Sequence, residues 1–212
     1  MFELYATRHG QTEWNIEGRM QGHLDSPLTQ LGVRQATRLG EALSHINFDV
    51  IYASPSARAV NTAELIRGNK EVAIKLDERL REIRVGSWEG KLKSEIEETF
   101  PEAYQTYRQA PHLYKAVNGG ETFFHVAERV GSFLNELLSA DEERRVLVVT
   151  HTVTLKLIMS RFEERSIERL WDPPFIHPTS LCHVVMKDDI YRIERYGDMS
   201  HVEHGGSYIG GR

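Results

Sequence analysis

Short apolar segments alternate along this chain with longer segments whose apolar residues recur at helical spacing. The strand-like segments cover residues 2–7, 48–53, 72–76, 146–149, 181–186 and 191–196. Helical spacing follows Thr29, runs over residues 56–66 and 122–140, and returns after Thr152. This alternation predicts an α/β fold, with a mostly parallel central sheet and helices on both of its faces.

The pattern also predicts how the segments are arranged. The run 146–149 is the most apolar and is expected at the sheet centre, whereas 181–186 and 191–196 are expected to form an antiparallel hairpin around the turn 187–189. The helix after Thr29 is expected to bury an apolar stripe, made of Leu31, Ala36, Leu39, Ala42 and Leu43. We expect one domain over residues 1–204, with a helical lid inserted at about 77–120 and a flexible, glycine-rich tail at 205–212.

The composition limits the classes of partner. The chain has 212 residues and a net charge of -5, and an acidic surface does not attract nucleic acid or anionic lipid over long range. An anion site must therefore be a local basic pocket. No secretory signal or membrane-spanning run is visible, and the single cysteine, Cys182, is expected to be a buried core thiol, so we expect a cytoplasmic protein.

Reactive side chains follow three of the predicted strands. Arg8 and His9 end the first, Arg58 lies one turn into the helix after the second, and His151 follows the central strand. Ligands of α/β sheets bind beyond the carboxyl ends of the strands, so two imidazoles and two guanidiniums should meet there beside helix N-termini. That combination predicts a site for a phosphate ester. Without such a context, the other histidines considered are expected to be structural: His45, His112, His125, His177, His183 and His204.

Four sequence blocks resemble the histidine phosphatase superfamily, also called phosphoglycerate mutase-like. They are 7–15 (TRHGQTEWN) with 21–29 (QGHLDSPLT), 54–63 (SPSARAVNTA), 78–90 (ERLREIRVGSWEG) and 149–151 (VTH). Three later segments, 109–114, 170–174 and 197–201, are similar to the broad-specificity phosphatases of bacilli within this superfamily. The resemblance implies a phosphomonoester hydrolase that acts on small organic phosphates.

The resemblance also implies a role for each matched residue. His9 would be the nucleophile that forms phosphohistidine, with its second ring nitrogen held by a backbone carbonyl, and Glu82 would be the general acid and base. The other catalytic residues would be Arg8, Arg58 and His151. Phosphate or substrate binding would fall to Asn15, Gln21, Gly22 and Thr152, the last of which stands where the family usually has glycine. No metal and no cofactor are expected.

Two other functions remain open from the sequence. A cofactor-dependent phosphoglycerate mutase shares these residues, but it has a tyrosine and an Asn-Lys pair that residues 83–91 lack, although Lys91, Lys93 or Arg84 could hold a carboxylate. A non-catalytic phosphate-binding regulatory protein is the second. The aromatic side chains Trp14, Trp88, Tyr107 and Tyr114 fit either an apolar leaving group or core packing. The sequence leaves open whether the protein is a monomer or a dimer.

Overall fold

Six strands form one sheet. The computed structural model describes residues 1–117, 119–139, 143–187 and 190–202. Its strands are β1 (Phe2–Arg8), β2 (Val50–Ala53), β3 (Ile74–Leu76), β4 (Arg144–Thr150), β5 (Leu181–Lys187) and β6 (Ile190–Asp198). They lie in the order β3-β2-β4-β1-β5-β6. Pairing is parallel from β3 to β1 and antiparallel at β5 and β6, as expected from the sequence, and the apolar β4 lies inside the sheet.

Helices cover both faces of the sheet. They are α1 (Glu13–Glu17), α2 (Gln30–Ala42), α3 (Ala57–Arg67), α4 (Lys93–Thr99), α5 (Pro101–Gln109), α6 (Phe123–Leu138) and α7 (Thr152–Glu163). Residues of α2 and α3 share one buried cluster with the sheet, and residues of α6 and α7 share another. The α/β class predicted from the alternating pattern is therefore confirmed.

Two local details differ from the sequence prediction. Helix α1 was not predicted, because it has only five residues and none of them is buried; it begins with a capping box between Thr12 and Asn15. In α2, Leu31 is 40% exposed and Ala42 is also exposed, so neither belongs to the buried stripe. Gln35 is buried instead, since its side-chain oxygen accepts a hydrogen bond from the backbone N–H of Gln11.

Aromatic side chains join residues 77–117, which belong to the segment that the sequence predicted to be a lid, to the rest of the fold. This segment contains helices α4 and α5, with short 3-10 turns before and after them. Trp88 is fully buried and lies within 5.9 Å of the Tyr107 and Tyr114 rings, and the indole N–H of Trp171 donates to the Tyr107 carbonyl. Trp88, Tyr107 and Tyr114 therefore pack in the core. The predicted tail, His204 and residues 188–189 of the hairpin turn lie outside the described residues.

Cys182 is inaccessible, as predicted. Its side chain is fully buried on β5, and burial raises the pKa of the thiol to about 12. Such a thiol is not a nucleophile at neutral pH. Within the described ranges, no helix is long and apolar enough to cross a membrane, and no group of His, Cys, Asp or Glu side chains is arranged to hold a metal ion.

Candidate active site

The ring of His9 is fixed in one tautomer directly after β1. His9 is buried, and its Nδ1 lies 2.7 Å from the carbonyl oxygen of Gly10. A carbonyl can only accept a hydrogen bond, so Nδ1 carries the proton and Nε2 keeps its lone pair. The backbone partner expected from the sequence is therefore present, and Nε2 has the form that a nucleophile needs.

Close backbone contacts fix the loop that carries His9. The Gly10 N–H donates to the Thr62 hydroxyl, and a Cβ on Gly10 would lie 2.6 Å from the carbonyl oxygen of Gly32 in α2. In turn, a Cβ on Gly32 would lie 2.1 Å from the Gln11 carbonyl oxygen. Both positions require glycine, because the start of α2 rests directly on the backbone of the loop.

His151 lies beside His9 at the start of α7. The two ring centroids are 5.2 Å apart, and His151 is fully buried. Its Nε2 lies 2.7 Å from the hydroxyl oxygen of Ser54, which follows β2. Its Nδ1 is buried with no hydrogen-bond partner among the residues that the structure describes. Sequence reasoning placed His151 here but missed Ser54 as the side chain that orients it.

Arg58 presents half of its guanidinium group to the site. Its Nη1 donates to the Leu24 carbonyl and to Asp25 Oδ1 at 3.0 Å, and its Nη2 donates to the Gly22 carbonyl at 2.8 Å. The side chain is 1% exposed, yet Nε is without a hydrogen-bond partner within the described part of the chain. The Nε–H and the second Nη2–H of an arginine lie side by side, which is the geometry that binds two oxygens of one phosphate.

Positive charge from both arginines reaches the two rings. Burial holds the pKa of His9 well below its usual value, and the charges of Arg58 and Arg8 lower it further. The pKa of His151 is depressed by burial and then by Arg58, His9 and Arg8. Arg8 itself donates to the Ile176 carbonyl at 2.9 Å. Both imidazoles are therefore neutral at neutral pH, in a pocket whose formal charges favour an anion.

Glu82 is bound to the start of α7 through backbone groups. Its carboxylate accepts from the N–H of Ile83 at 3.0 Å, of Val153 at 3.2 Å and of Thr154 at 3.4 Å. The nearby arginines are used elsewhere, since Arg81 pairs with Glu78. In the described part of the chain, Glu82 therefore forms no ion pair with Arg79 or Arg81.

The predicted binding residues take different positions around this centre. The side-chain oxygen of Asn15 accepts from the Thr12 N–H, which leaves its amide group to act as a donor. Gln21 accepts from the Ser26 hydroxyl at 3.3 Å, and Gly22, with a φ of 54°, acts through Arg58. Thr152 is the first residue of α7 and is half-buried.

Lys93, the first residue of α4, lies close enough to Arg8 for their charges to interact. The pKa of Lys93 is lowered, first by desolvation and then by the charges of Arg8 and Arg108. Lys93 is one of the three residues that the sequence offered for a substrate carboxylate, and its side chain is exposed. His177 also lies close, since burial and then the charge of Arg8 lower its pKa, although its sequence context gave no sign of this.

Ser200 and His201 support the loop next to β1. Ser200 binds the Asp198 carboxylate through its N–H and its hydroxyl, both at 3.0 Å. His201 lies 3.3 Å from the Thr179 hydroxyl, and the Thr179 N–H donates to the Arg8 carbonyl. His201 is therefore linked to the backbone of Arg8 through Thr179, whereas Ser200 binds only Asp198 among the described residues.

The chain matches the model of the histidine phosphatase superfamily (branch 1) over residues 4–199. Its structure is similar to that of Bacillus stearothermophilus YhfR, with 42% identity and a TM-score of 0.91 over 96% of this chain and 100% of that chain. It is also similar to a phosphoglycerate mutase from Bacillus anthracis, with 27% identity and a TM-score of 0.82 over 94% of each chain.

A protein named phosphoserine phosphatase 1, from Hydrogenobacter thermophilus, is 35% identical over 171 residues, which are 81% of each chain. These similarities confirm the family resemblance of the sequence blocks and the predicted fold. They include both phosphatases and mutases by name.

Proposed function

The chain belongs to the histidine phosphatase superfamily and is a phosphatase, and we propose that it transfers phosphoryl groups of small organic monoesters first to His9 and then to water. The observation that carries this proposal is the fixed tautomer of His9. Its unprotonated Nε2 lies in a pocket with His151 and two guanidinium groups. Phosphoryl transfer needs an aligned nucleophile and donors for the equatorial oxygens, and this pocket supplies both.

The first step forms a bond between Nε2 of His9 and phosphorus while the ester P–O bond breaks. The leaving oxygen takes a proton from Glu82. In the second step water attacks phosphorus, the P–N bond breaks, and the Glu82 carboxylate takes the proton of the water. Arg58 grips the phosphoryl oxygens with its Nε–H and Nη2–H, and Arg8, His151 and Asn15 add further donors.

The first N–H groups of α7 are shared between Glu82 and the phosphate in this mechanism. Of the first three N–H groups, those of Val153 and Thr154 bind Glu82, and we assign that of Thr152 to the phosphate. The Glu82 carboxyl group therefore lies beside the N–H that we assign to the phosphate, where it can exchange protons with the leaving oxygen and then with water.

The substrate class follows from the pocket and from the relatives. Similar proteins are named for phosphoserine and phosphoglycerate, which are small phosphates that carry a carboxylate. The charge of Lys93 near Arg8 suits such a second anionic group. We propose broad specificity for small phosphate monoesters, in a cytoplasmic protein, with localisation inferred from the sequence alone.

The phosphoenzyme tests the proposal directly. Brief incubation with labelled substrate should give an adduct that is stable to alkali and labile to acid, as a phosphoramidate is. His9→Ala should abolish the adduct and lower kcat at least about 10³-fold, because the nucleophile is lost. His45→Ala, at an exposed histidine, is the control. An acid-stable adduct, or near-normal turnover in His9→Ala, would reject the mechanism.

Phosphoglycerate mutase is the second candidate, because one of the similar structures bears that name and the charge of Lys93 interacts with that of Arg8. The enzyme is incubated with 3-phosphoglycerate and a trace of the bisphosphate, and 2-phosphoglycerate and free phosphate are measured together. Hydrolysis should exceed isomer formation, since nothing in residues 83–91 repeats the mutase pattern. Isomer formed much faster than phosphate would favour the mutase. Phosphate binding with no turnover of any ester would favour the regulatory protein.

A further inference from the structure

Arg129 of α6 binds the backbone on which Glu82 stands. Its Nη1 donates to the carbonyl oxygens of Arg79 at 2.6 Å and Arg81 at 2.7 Å, and its Nη2 donates to that of Glu82 at 3.0 Å. Its guanidinium also pairs with the Glu121 carboxylate, with Nε 2.9 Å from Oε1. The side chain is 18% exposed. One charged group therefore gathers three carbonyls of a single segment.

The segment has little regular structure of its own. It leaves a three-residue 3-10 turn, Glu78–Leu80, and its backbone depends on side chains from other elements. The Leu80 carbonyl accepts from the Thr150 hydroxyl, and the Arg81 carbonyl also accepts from the Thr154 hydroxyl. Side chains of other elements therefore fix the position of this backbone. Arg129 donates three of these hydrogen bonds, whereas Thr150 and Thr154 donate one each.

Glu82 is held from two sides. Its carbonyl oxygen accepts from Arg129 and lies 3.0 Å from Nε2 of His23, while its carboxylate binds the start of α7. A lysine at position 129 could not replace this arrangement, because an ammonium group lacks the planar set of donors that reaches several acceptors at once. A shift of about 1 Å in a reacting group can cost about 10² in rate.

We propose that Arg129 is a positioning residue that places the Glu82 carboxyl for proton transfer to the leaving oxygen. The proposal rests on the acid role proposed for Glu82. Arg129 touches no reacting atom, so its removal should harm the proton transfer and leave phosphate binding largely intact. Substrates whose leaving groups need a proton should then be affected more than substrates whose leaving groups do not.

The test compares an alkyl phosphate, glycerol phosphate, with an activated aryl phosphate, p-nitrophenyl phosphate. In Arg129→Met, kcat for the alkyl ester should fall about 10-fold to 100-fold, while kcat for the aryl ester should fall only a few-fold and KM should change little for both. Glu82→Gln should show the same preference more strongly. The double variant should then discriminate no more than Glu82→Gln, because the two residues act on one step.

Arg79→Met is the matched control. Arg79 lies in the same segment and its side chain binds Asp77 and Glu136, whereas in the described part of the chain it donates to no carbonyl of residues 79–82. It should keep the wild-type ratio of the two rates. Arg129→Lys, which keeps the charge, should give an intermediate ratio and serves as the main variant if Arg129→Met does not fold.

The outcomes separate the two proposals. Equal slowing of both esters in Arg129→Met, or a wild-type ratio in Arg129→Lys when that is the main variant, would overturn the positioning role while leaving Glu82 as the acid. Equal slowing of both esters in Glu82→Gln would overturn the acid role itself. A selective loss in both residues supports both proposals.

Discussion

At the scale of single residues, the two histidines are held in different ways. His9 is bound by the carbonyl of its own neighbour, whereas His151 is bound by Ser54, 97 positions away in sequence. A Ser54 hydroxyl that donates to Nε2 leaves the proton of His151 on Nδ1, where it can donate to a phosphoryl oxygen. With its proton on Nδ1, His151 would have the tautomer that the proposed mechanism requires.

Ser54→Ala should lower kcat about 10-fold to 100-fold, by analogy with the loss of residues that orient metal-bound imidazoles. The fold should survive, because Ser54 fills little volume. Ser160→Ala is the control, since Ser160 is also buried but its hydroxyl donates to the Lys156 carbonyl within α7. Steady-state kinetics and Tm check both variants, and unchanged kcat in Ser54→Ala would show that His151 needs no such partner.

The sequence could predict the residues that follow strands, but not the residues that support them. Arg8, His9 and His151 stand out because each ends a strand, and the structure does bring them together. Arg129 lies inside a helix, where an arginine is ordinarily a solvent-facing charge. Its bonds to carbonyls some 50 positions away leave no mark on the local pattern.

At the scale of elements, the contact between α2 and the His9 loop explains why Leu31 was misplaced. Apolar spacing predicted that Leu31 points into the core, but the first turn of α2 buries Gly32 instead. The Thr29 hydroxyl caps this helix by accepting from the Gly32 N–H at 3.0 Å. A backbone contact of this kind involves no large apolar side chain, so hydrophobic periodicity cannot detect it.

Gly32→Ala tests that contact against helix propensity. Propensity alone predicts a gain of about 1 kcal/mol in a helix interior. The added Cβ would lie 2.1 Å from the Gln11 carbonyl oxygen, so the backbone must move and we expect a loss of about 1–3 kcal/mol together with lower kcat. Gly131→Ala in α6 has open space around its Cβ and should be stabilising. Urea unfolding measures the free energy of unfolding of both variants. A higher value in Gly32→Ala than in the wild type would contradict the structure.

At the scale of the whole molecule, an acidic chain carries a cationic pocket. The net charge is -5, yet burial and then the charges of Arg58 and Arg8 lower the pKa of both His9 and His151. Neutral imidazoles suit a nucleophile and a donor in the ground state. They also carry a cost, because protonating either ring inside the folded protein is unfavourable, whereas the same rings in the unfolded chain take up protons near pH 6.5.

The free energy of unfolding should therefore fall as pH drops below about 6.5, since the unfolded chain then binds more protons than the folded one. Carboxyl groups with lowered pKa, such as Glu121, contribute only below their unfolded values of about 4–4.5, so the range between pH 6.5 and 5 isolates the histidines. In that range each buried site histidine can contribute up to about 1.4 kcal/mol per pH unit.

His9→Asn and His151→Asn should each reduce the slope of the free energy of unfolding against pH, whereas His45→Asn, at an exposed position, should not. Urea unfolding at several pH values measures the slopes, and slopes that are the same in all four proteins would show that the two site rings take up protons as readily in the folded state as in the unfolded one.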